Sequence, residues 1–183
     1  GEMLGDHHLF RKTLPYEGSA KTPLILCPPR KSAMAVSAAP VSQPDFMPTF
    51  LDIAGVPVPA AVEGRSLLPL LSQTPEEAEW RTHVHGEHAA CYGPDSGNQF
   101  VTDGREKFIW YTHRGEEQFF DLTRDPEECV NRIADPASQE RIGLWRRRLV
   151  DELAPRREDG LTDGGRLVPG RLLPATRPAL KKR

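Results

Sequence analysis

The first seventeen residues of the chain concentrate side chains that could bind an anion or transfer a proton. They are Asp6, His7, His8, Arg11, Lys12 and Glu17. The apolar run Pro23–Cys27 follows soon after, and ligand sites in α/β proteins form where strands end and loops cross. Composition alone favours a solvated loop, because charged residues near a chain end lie mostly at the surface. A functional interpretation of this cluster therefore depends on the order of its residues.

A second cluster, His-Val-His-Gly-Glu-His, occupies residues 83–88. In an extended strand His83, His85 and Glu87 would point to one face, and such a set could bind zinc. We give this metal site less weight than a role for His85 or His88 in lining a substrate pocket. Polar residues on an exposed sheet face are the remaining alternative.

The composition is that of a folded domain and not of a fibrous or membrane-spanning chain. Its 183 residues, 38% hydrophobic and 27% charged, suffice for one core with an extension. The formal net charge is −2, so no strong field attracts nucleic acid or an anionic membrane, and we expect neither as a partner. Three widely spaced cysteines, Cys27, Cys91 and Cys129, favour a reducing compartment over a disulfide framework. A signal segment would precede Gly1, so the localisation stays open.

Periodicity and the placement of proline and glycine predict the main elements. The run Pro23–Cys27, closed by prolines, predicts a buried strand of a parallel sheet. Apolar residues at helical spacing predict a helix over 42–54, with Ser42 as its N-cap and Gly55 just past its end. From residue 83 the period changes to two, which predicts a small antiparallel sheet.

The carboxy-terminal half predicts a hairpin, a helix and a tail. The pair Asp103–Gly104 stands between two alternating runs as a hairpin turn. Helical spacing returns over 138–153, with Ser138 as a candidate N-cap. After Pro155, Gly, Pro and Arg predominate without periodicity, so we expect a disordered or loosely attached tail. We divide the chain into a catalytic α/β portion, a small α+β subdomain and this tail, over residues 1–72, 73–154 and 155–183.

Several stretches occur in the order in which the sulfatase family, within the alkaline-phosphatase-like superfamily, carries its motifs. The opening GEMLGDHHLFRKTLPYEGSAKTPLIL resembles the segment that follows the family's metal-binding Asp-His pair. The stretch APVSQPDFMPTFLDIAGVPVPAAVEGRSLLPLL resembles a family helix and its sequel. HGEH, TDGREKFIWY and EEQFFDLTRDPEE resemble the carboxy-terminal subdomain of bacterial members. The resemblance covers roughly residues 1–153.

The resemblance implies both a fold and an activity. The fold is α/β: the carboxy-terminal part of an alkaline-phosphatase-like sandwich, with one or more buried strands and a helix, followed by a small antiparallel sheet with a helix. The activity is hydrolysis of a small-molecule sulfate ester by a formylglycine nucleophile beside a divalent cation, commonly calcium. Gly1 would directly follow the Asp-His pair, so the partner of this chain would be the missing amino-terminal part of the same enzyme. The isolated fragment would hold no cofactor and would be inactive.

The resemblance also implies roles for individual residues. Lys12 matches the family's sulfate-contacting lysine and is the catalytic and substrate-binding candidate. His7 matches a histidine that we expect at the pocket rim, with a hydrogen-bonded structural role as the alternative. Glu17 is expected to organise its loop. His85 and His88 are expected to bind the substrate, and no metal ligand is assigned within the chain.

One near match to the family's nucleophile signature is set aside. Cys27 begins the stretch CPPRK, but Arg30 stands one position too early for Cys-x-Pro-x-Arg, and the stretch lies too far along the chain. We expect Cys27 to be a buried thiol at a strand end. Two alternatives to sulfate-ester hydrolysis remain: hydrolysis of phosphate mono- or diesters or of phosphonates, and a non-catalytic remnant.

Overall fold

The computed structural model describes residues 1–12, 14–28, 36–90 and 93–172. The chain forms two compact units, one made of Gly1–Pro23 with His85–Arg183 and the other of Leu24–Val84. The domain boundaries at residues 72 and 154 stay a prediction. None of the helices in the described ranges combines the length and the apolar character that crossing a bilayer requires.

One sheet organises the larger unit. Its strands are β1 (Val84–His88), β2 (Asn98–Thr102), β3 (Glu106–Tyr111) and β4 (Glu117–Asp121). They lie side by side in the order β1-β2-β3-β4, and the β2–β3 and β3–β4 pairs are antiparallel. The antiparallel sheet predicted from the period of two is confirmed.

The turn between β2 and β3 is the predicted Asp103–Gly104 pair. Gly104 has a φ of 84°, in the left-handed region that glycine enters without steric cost. The Asp103 carboxylate accepts hydrogen bonds from the backbone amides of Arg105 and Glu106, both at 2.8 Å. The side chain and the glycine together fix the register of the two strands.

A helix covers one side of the sheet, which we call the helix face. The α-helices among the described residues are α1 (Glu17–Ala20), α2 (Phe46–Ile53) and α3 (Gln139–Leu153). As predicted, α3 places apolar residues at helical spacing against the sheet. The core on this face consists of Val101, Phe108, Trp110, Phe119, Ile142, Trp145, Leu149, Leu153 and Leu161. Ser138 precedes α3 as predicted, but its hydroxyl donates to Asp135 at 2.8 Å instead of capping the helix.

The first twenty residues pack on the opposite side of the sheet, which we call the loop face. Strand residues alternate between the two faces, so Phe100, Ile109 and Phe120 point away from α3. The core on this face consists of Met3, Tyr16, Ile109, Phe120 and Leu122, with Leu9, Leu14, Phe100 and Tyr111 packed against it. The charged opening of the chain is therefore held on the sheet by apolar anchors.

Residues 155–172, the first part of the predicted disordered or loosely attached tail, contain some local structure. A short 3₁₀ turn covers Arg157–Asp159, and Thr162 pairs with Leu167 in an isolated antiparallel bridge. Leu161 is 2% exposed and belongs to the helix-face core, so one buried side chain anchors a segment whose composition suggested none. The rest of the predicted tail, residues 173–183, lies outside the described residues.

The smaller unit contains the predicted helix. A 3₁₀ turn over Gln43–Asp45 leads into α2, and a capping box joins the two: the Ser42 amide donates to Asp45 at 2.8 Å while the Ser42 side chain accepts from the Asp45 amide. Gly55, with a φ of 67°, follows the end of α2. The helix predicted over 42–54 is confirmed.

The buried strand predicted over Pro23–Cys27 is wrong. No strand forms there, and Ile25 is 88% exposed. A strand requires a neighbour to bond its backbone amides and carbonyls, and no strand in the described part of the chain pairs with this run. Cys27 is likewise exposed, and the expected buried thiol at this position is wrong.

Replacing Trp145 by Ala tests the helix-face core. Trp145 is 1% exposed and its indole donates to Glu106 at 2.6 Å, so we expect a loss of about 3–5 kcal/mol in the free energy of unfolding. Urea unfolding measures it. The matched control is Leu144→Ala on the same helix, where the parent side chain is 41% exposed and the cost should stay below about 1 kcal/mol. Equal losses in the two variants would contradict this core.

Candidate functional site

The predicted anion-binding segment forms a tight loop closed by its own backbone. The Met3 amide donates to the Arg11 carbonyl at 3.0 Å, and the Gly5 amide donates to the Leu9 carbonyl at 2.8 Å. Met3 is 2% exposed and pins one end of the loop to the sheet. The loop therefore has a definite shape despite its polar composition.

The same loop contains unusual backbone conformations. Four of its residues other than glycine, Leu4, His7, His8 and Arg11, have φ between 49° and 74°. Each such residue costs roughly 1–2 kcal/mol, which the surrounding contacts must offset. Strain of this kind is typical of segments shaped for binding or catalysis.

His7 is held by two contacts inside the protein. Its ring stacks on Tyr16 with centroids 4.3 Å apart and planes 8° apart, and its Nε2–H donates to the Glu127 carbonyl at 2.8 Å. The ring is half-buried. These contacts favour the hydrogen-bonded structural role of His7, because one ring nitrogen and one face of the ring are occupied by contacts within the protein.

Lys12 lies at the exposed surface of the loop. Within the described residues its ammonium makes no ion pair and no hydrogen bond. Pro15 follows three positions later and is buried. The Cα atom of Lys12 therefore lies within about 11 Å of the Cα atom of a buried residue. The structure thus presents an unpaired cation on an anchored segment.

A second lysine, which sequence reasoning missed, lies beneath this segment. Lys107 on β3 is 0% exposed, and its ammonium donates to the Pro15 carbonyl at 2.8 Å. It also pairs with Glu17 at 2.7 Å and with Glu128 at 2.8 Å. The other oxygen of Glu128 accepts from the Glu17 amide. We call Glu17, Lys107 and Glu128 the buried ion cluster, and it gives Glu17 the loop-organising role expected from the sequence.

The buried position of Glu128 changes the pKa of its carboxyl. Burial raises the pKa of the Glu128 carboxyl above its ordinary value, and the adjacent Lys107 ammonium opposes that rise without cancelling it. Its backbone also has a φ of 56°. A sequence signal for the cluster did exist, because alternation along β3 puts Lys107 on the same face as the buried Ile109.

The structure separates His85 from His88. On β1 they differ by three positions, so they point to opposite faces of the sheet. A side chain at Gly86, on the face of His88, would collide with the Phe100 ring at 2.3 Å, and Phe100 packs on the loop face. His88 therefore shares the loop face with His7 and Lys12, and its Nδ1 is buried without a hydrogen-bond partner in the described part of the chain.

His85 belongs to a polar network on the helix face. Its Nε2 bonds to Gln99 at 2.7 Å, the Gln99 amide donates to Glu87 at 3.2 Å, and Arg156 donates to Glu87 at 2.9 Å. Burial acts to raise the pKa of Glu87, but hydrogen bonds from Arg156 and Gln99 outweigh it and the pKa is lowered. Arg156 also pairs with Asp159 at 2.6 Å. Four members of the network, Glu87, Gln99, Arg156 and Asp159, line a cavity of about 230 Å³ that His85 does not reach.

The described residues do not provide a metal site. They contain no group of three or more His, Cys, Asp or Glu side chains placed to hold one ion. Glu87, the carboxylate of the zinc alternative over residues 83–88, is committed to Arg156 and Gln99. The donor set of the described residues therefore does not fit the divalent cation that the sulfatase resemblance implies.

Comparisons with known proteins agree with this architecture. A family model described as the carboxy-terminal domain of N-sulphoglucosamine sulphohydrolase matches residues 5–155. An arylsulfatase of Clostridium perfringens is 41% identical over 174 residues, which cover 93% of this chain and 35% of that protein. Arylsulfatase K of Rattus norvegicus is 36% identical over 138 residues, covering 72% of this chain and 24% of that protein.

Two solved structures share the fold. The structure of BT4656 in complex with its substrate D-glucosamine-2-N,6-O-disulfate aligns with a TM-score of 0.70 and 27% identity, covering 87% of this chain and 33% of that one. A phosphonate monoester hydrolase from Silicibacter pomeroyi aligns with a TM-score of 0.69 and 27% identity, covering 93% of this chain and 37% of that one. The fold is that of the carboxy-terminal part of enzymes in the alkaline-phosphatase-like superfamily. The chain belongs to the sulfatase family within it and spans between about a quarter and just over a third of the length of these relatives.

Replacing Lys107 by Met tests the buried ion cluster. We expect a loss of about 3–5 kcal/mol in the free energy of unfolding, because Glu128 is left buried without its cation. Without Lys107 the folded-state pKa of Glu128 rises further above the unfolded value near 4.3. The stability contributed by the protonated carboxyl is then present below that value and is lost as the pH rises through the folded-state pKa. Urea unfolding at a series of pH values measures this.

Two further variants act as controls for this experiment. Lys107→Met combined with Glu128→Gln removes the titrating carboxyl, so it should recover part of the loss and lose the added pH dependence. Lys21→Met removes an ammonium that also pairs with Glu17 but is 73% exposed, and it should cost less than about 1 kcal/mol. The same pH dependence in the single and double variants would show that Glu128 is not the responsible group.

Proposed function

We propose that the chain is the carboxy-terminal portion of a metal-dependent hydrolase of sulfate esters, and that Lys12 contacts the sulfate group. The observation that carries the proposal is the exposed ammonium of Lys12, unpaired among the described residues and placed on an anchored loop, in a chain of the sulfatase family. Cleavage of a sulfate ester leaves negative charge on the sulfate oxygens and the leaving oxygen. A fixed cation beside those oxygens lowers the barrier because it needs no reorganisation when the charge develops.

The side chain of Lys12 suits this task. An ammonium is a compact charge with three donors, so it can contact an anionic oxygen without the paired geometry that a guanidinium requires. The nearby ion cluster does not compete for the anion, since Lys107 is fully buried between its own carboxylates. Lys12 is thus the lysine of this segment that a ligand can reach.

The proposal assigns the nucleophile and the cation to other parts of a longer enzyme. The sulfatase resemblance implies a formylglycine nucleophile and a divalent cation, commonly calcium. The described residues offer no ligand set for the cation, so no step through it is assigned to this chain. A small-molecule sulfate ester is the proposed substrate, with the loop-face His88 and the helix-face His85 as candidate contacts to its organic part.

The second candidate is hydrolysis of phosphonate or phosphate esters. The phosphonate monoester hydrolase of Silicibacter pomeroyi favours it, because that structure aligns with this chain as well as the structure of BT4656 with its sugar disulfate does. The ammonium of Lys12 suits a phosphonate oxygen as well as a sulfate oxygen. A full-length enzyme should turn over an aryl sulfate faster than a phosphonate monoester under the first proposal and slower under the second. A third candidate, a non-catalytic remnant, predicts turnover of neither.

Residues 1–183 alone should not hydrolyse an aryl sulfate. The nucleophile and the cation supply most of the acceleration in such reactions, and the proposal places both elsewhere. Release of a chromogenic phenol from its sulfate by the purified chain, with and without added calcium, measures this. Turnover above the buffer rate that disappears in Lys12→Ala would overturn the proposed division of labour.

In a full-length enzyme Lys12→Ala should lower kcat roughly a hundredfold, since a preorganised cation facing a developing anion is worth about 3 kcal/mol. Its effect on unfolding should be small, because Lys12 is exposed and unpaired. Lys12→Arg should rescue only part of the activity.

His85→Ala and His88→Ala serve as comparisons and should act mainly on KM for the organic part of the ester. A kcat within about twofold of the parent for Lys12→Ala, together with loss of turnover in either histidine variant, would move the catalytic role to β1.

A further inference from the structure

The smaller unit, Leu24–Val84, exposes several large apolar side chains on and near α2. Phe50 and Ile53 on α2 are 66% and 51% exposed. The exposed apolar residues along the helix and just beyond it, which we call the α2 apolar face, are Phe46, Met47, Phe50, Ile53, Val56 and Val58. On the helix the spacing of Phe46, Phe50 and Ile53 forms one stripe.

The polar side of α2 is the side that faces its own unit. Asp45 at the start of the helix is 0% exposed, and its carboxylate accepts from the Arg65 amide at 2.9 Å and pairs with the Arg81 guanidinium at 2.5 Å. Thr49, 2% exposed, donates to the Asp45 carbonyl and accepts from the Leu67 amide. Surface helices of folded domains normally do the reverse, with polar groups outward and the apolar stripe inward.

The unit therefore holds together by polar contacts and leaves its apolar stripe uncovered. Among its described residues, the large hydrophobic side chains that are buried are Leu67 and Trp80, at 4% and 9% exposure. An apolar stripe of this size that is rimmed by polar groups marks an interaction surface.

We propose that the α2 apolar face is the docking surface for the amino-terminal part of the sulfatase fold. The length of the relatives supports this occupant. The chain matches a carboxy-terminal family model and spans 35% of the Clostridium perfringens arylsulfatase, so roughly two thirds of that protein lies outside the matched region. The proposed function already requires other parts of a longer enzyme, and the α2 apolar face is assigned to them. This assignment is argued from the fold and not from the reaction.

The charge of the helix fits the same occupant. Within α2 the one charged residue is Asp52, and its carboxylate already accepts from the Ser66 hydroxyl. The face offers no cation to a phosphate backbone or an anionic lipid headgroup. It suits an apolar protein surface, where aromatic residues such as Phe50 contribute most to affinity.

The test combines residues 1–183 with the amino-terminal part of the Clostridium perfringens arylsulfatase, taken up to the region that this chain matches. The two are co-expressed and separated by size, and hydrogen exchange is measured on residues 46–58. We expect co-elution, and exchange at these residues slowed at least about tenfold relative to the chain alone. The same measurement on a hybrid with that part fused ahead of Gly1 keeps the test valid if the separate part does not fold.

Phe50→Glu is the decisive variant. The parent side chain is 66% exposed, so the variant should leave the fold of the chain intact while weakening the complex at least about tenfold. Val130→Glu is the matched control, since Val130 is a 53% exposed apolar residue of the larger unit and its replacement should leave binding unchanged.

Three outcomes would overturn the inference. Exchange on residues 46–58 that is equally fast in the hybrid and in the chain alone would show that the fold does not cover this face. Self-association of the chain that Phe50→Glu abolishes would assign the face to a second copy. Binding to neutral phosphatidylcholine vesicles with the same sensitivity would assign it to lipid.

Turnover of the sulfate ester is measured separately from protection of α2. Protection of α2 in a hybrid that lacks sulfate-ester turnover would sustain the docking surface and reject the proposed activity, and turnover without protection would do the opposite.

Discussion

The ammonium of Lys107 is the point on which the loop face depends. A fully buried cation costs several kcal/mol unless it is paired and hydrogen-bonded, and here three acceptors surround it: the Pro15 carbonyl and the carboxylates of Glu17 and Glu128. Two of the three belong to the opening segment of the chain. The sheet therefore cannot bury this lysine favourably until residues 15–17 are in place, and once they are, the loop that carries Lys12 has a fixed base.

The two faces of the sheet are stabilised by different means. On the helix face α3 supplies a continuous apolar core, and arginines cover its aromatic rings: Arg141 lies 5.4 Å from the Phe119 ring centroid and Arg148 lies 4.4 Å from that of Trp145. This side is complete within the larger unit. On the loop face a smaller core is joined to the ion cluster, and the strained backbone of the loop lies over it. The strained loop backbone and the fully buried ammonium thus lie on the side where the candidate anion contact lies, and a larger apolar core supplies the scaffold on the other.

Features set by local pattern could be predicted from the sequence, and features set by distant partners could not. The hairpin at Asp103–Gly104 and both long helices follow from turn chemistry, capping and period, which act within a few residues. Alternation alone would also have separated His85 from His88. Lys107 escaped prediction because nothing near it in sequence shows that Glu128 will meet it. Leu161 escaped because one buried side chain suffices to order a segment of otherwise disordered composition.

Two apolar segments that the structure leaves uncovered differ in whether their secondary structure forms. The apolar run at 23–27 and the stripe on α2 both carry the sequence pattern of buried elements, yet Ile25 and Phe50 are exposed. The backbone of α2 nevertheless forms, because the Ser42 capping box and the contacts of Asp45 are satisfied within the unit. A strand has no such local substitute, since its amides and carbonyls need another strand. The helix therefore persists with its apolar face uncovered, while the predicted strand stays unformed.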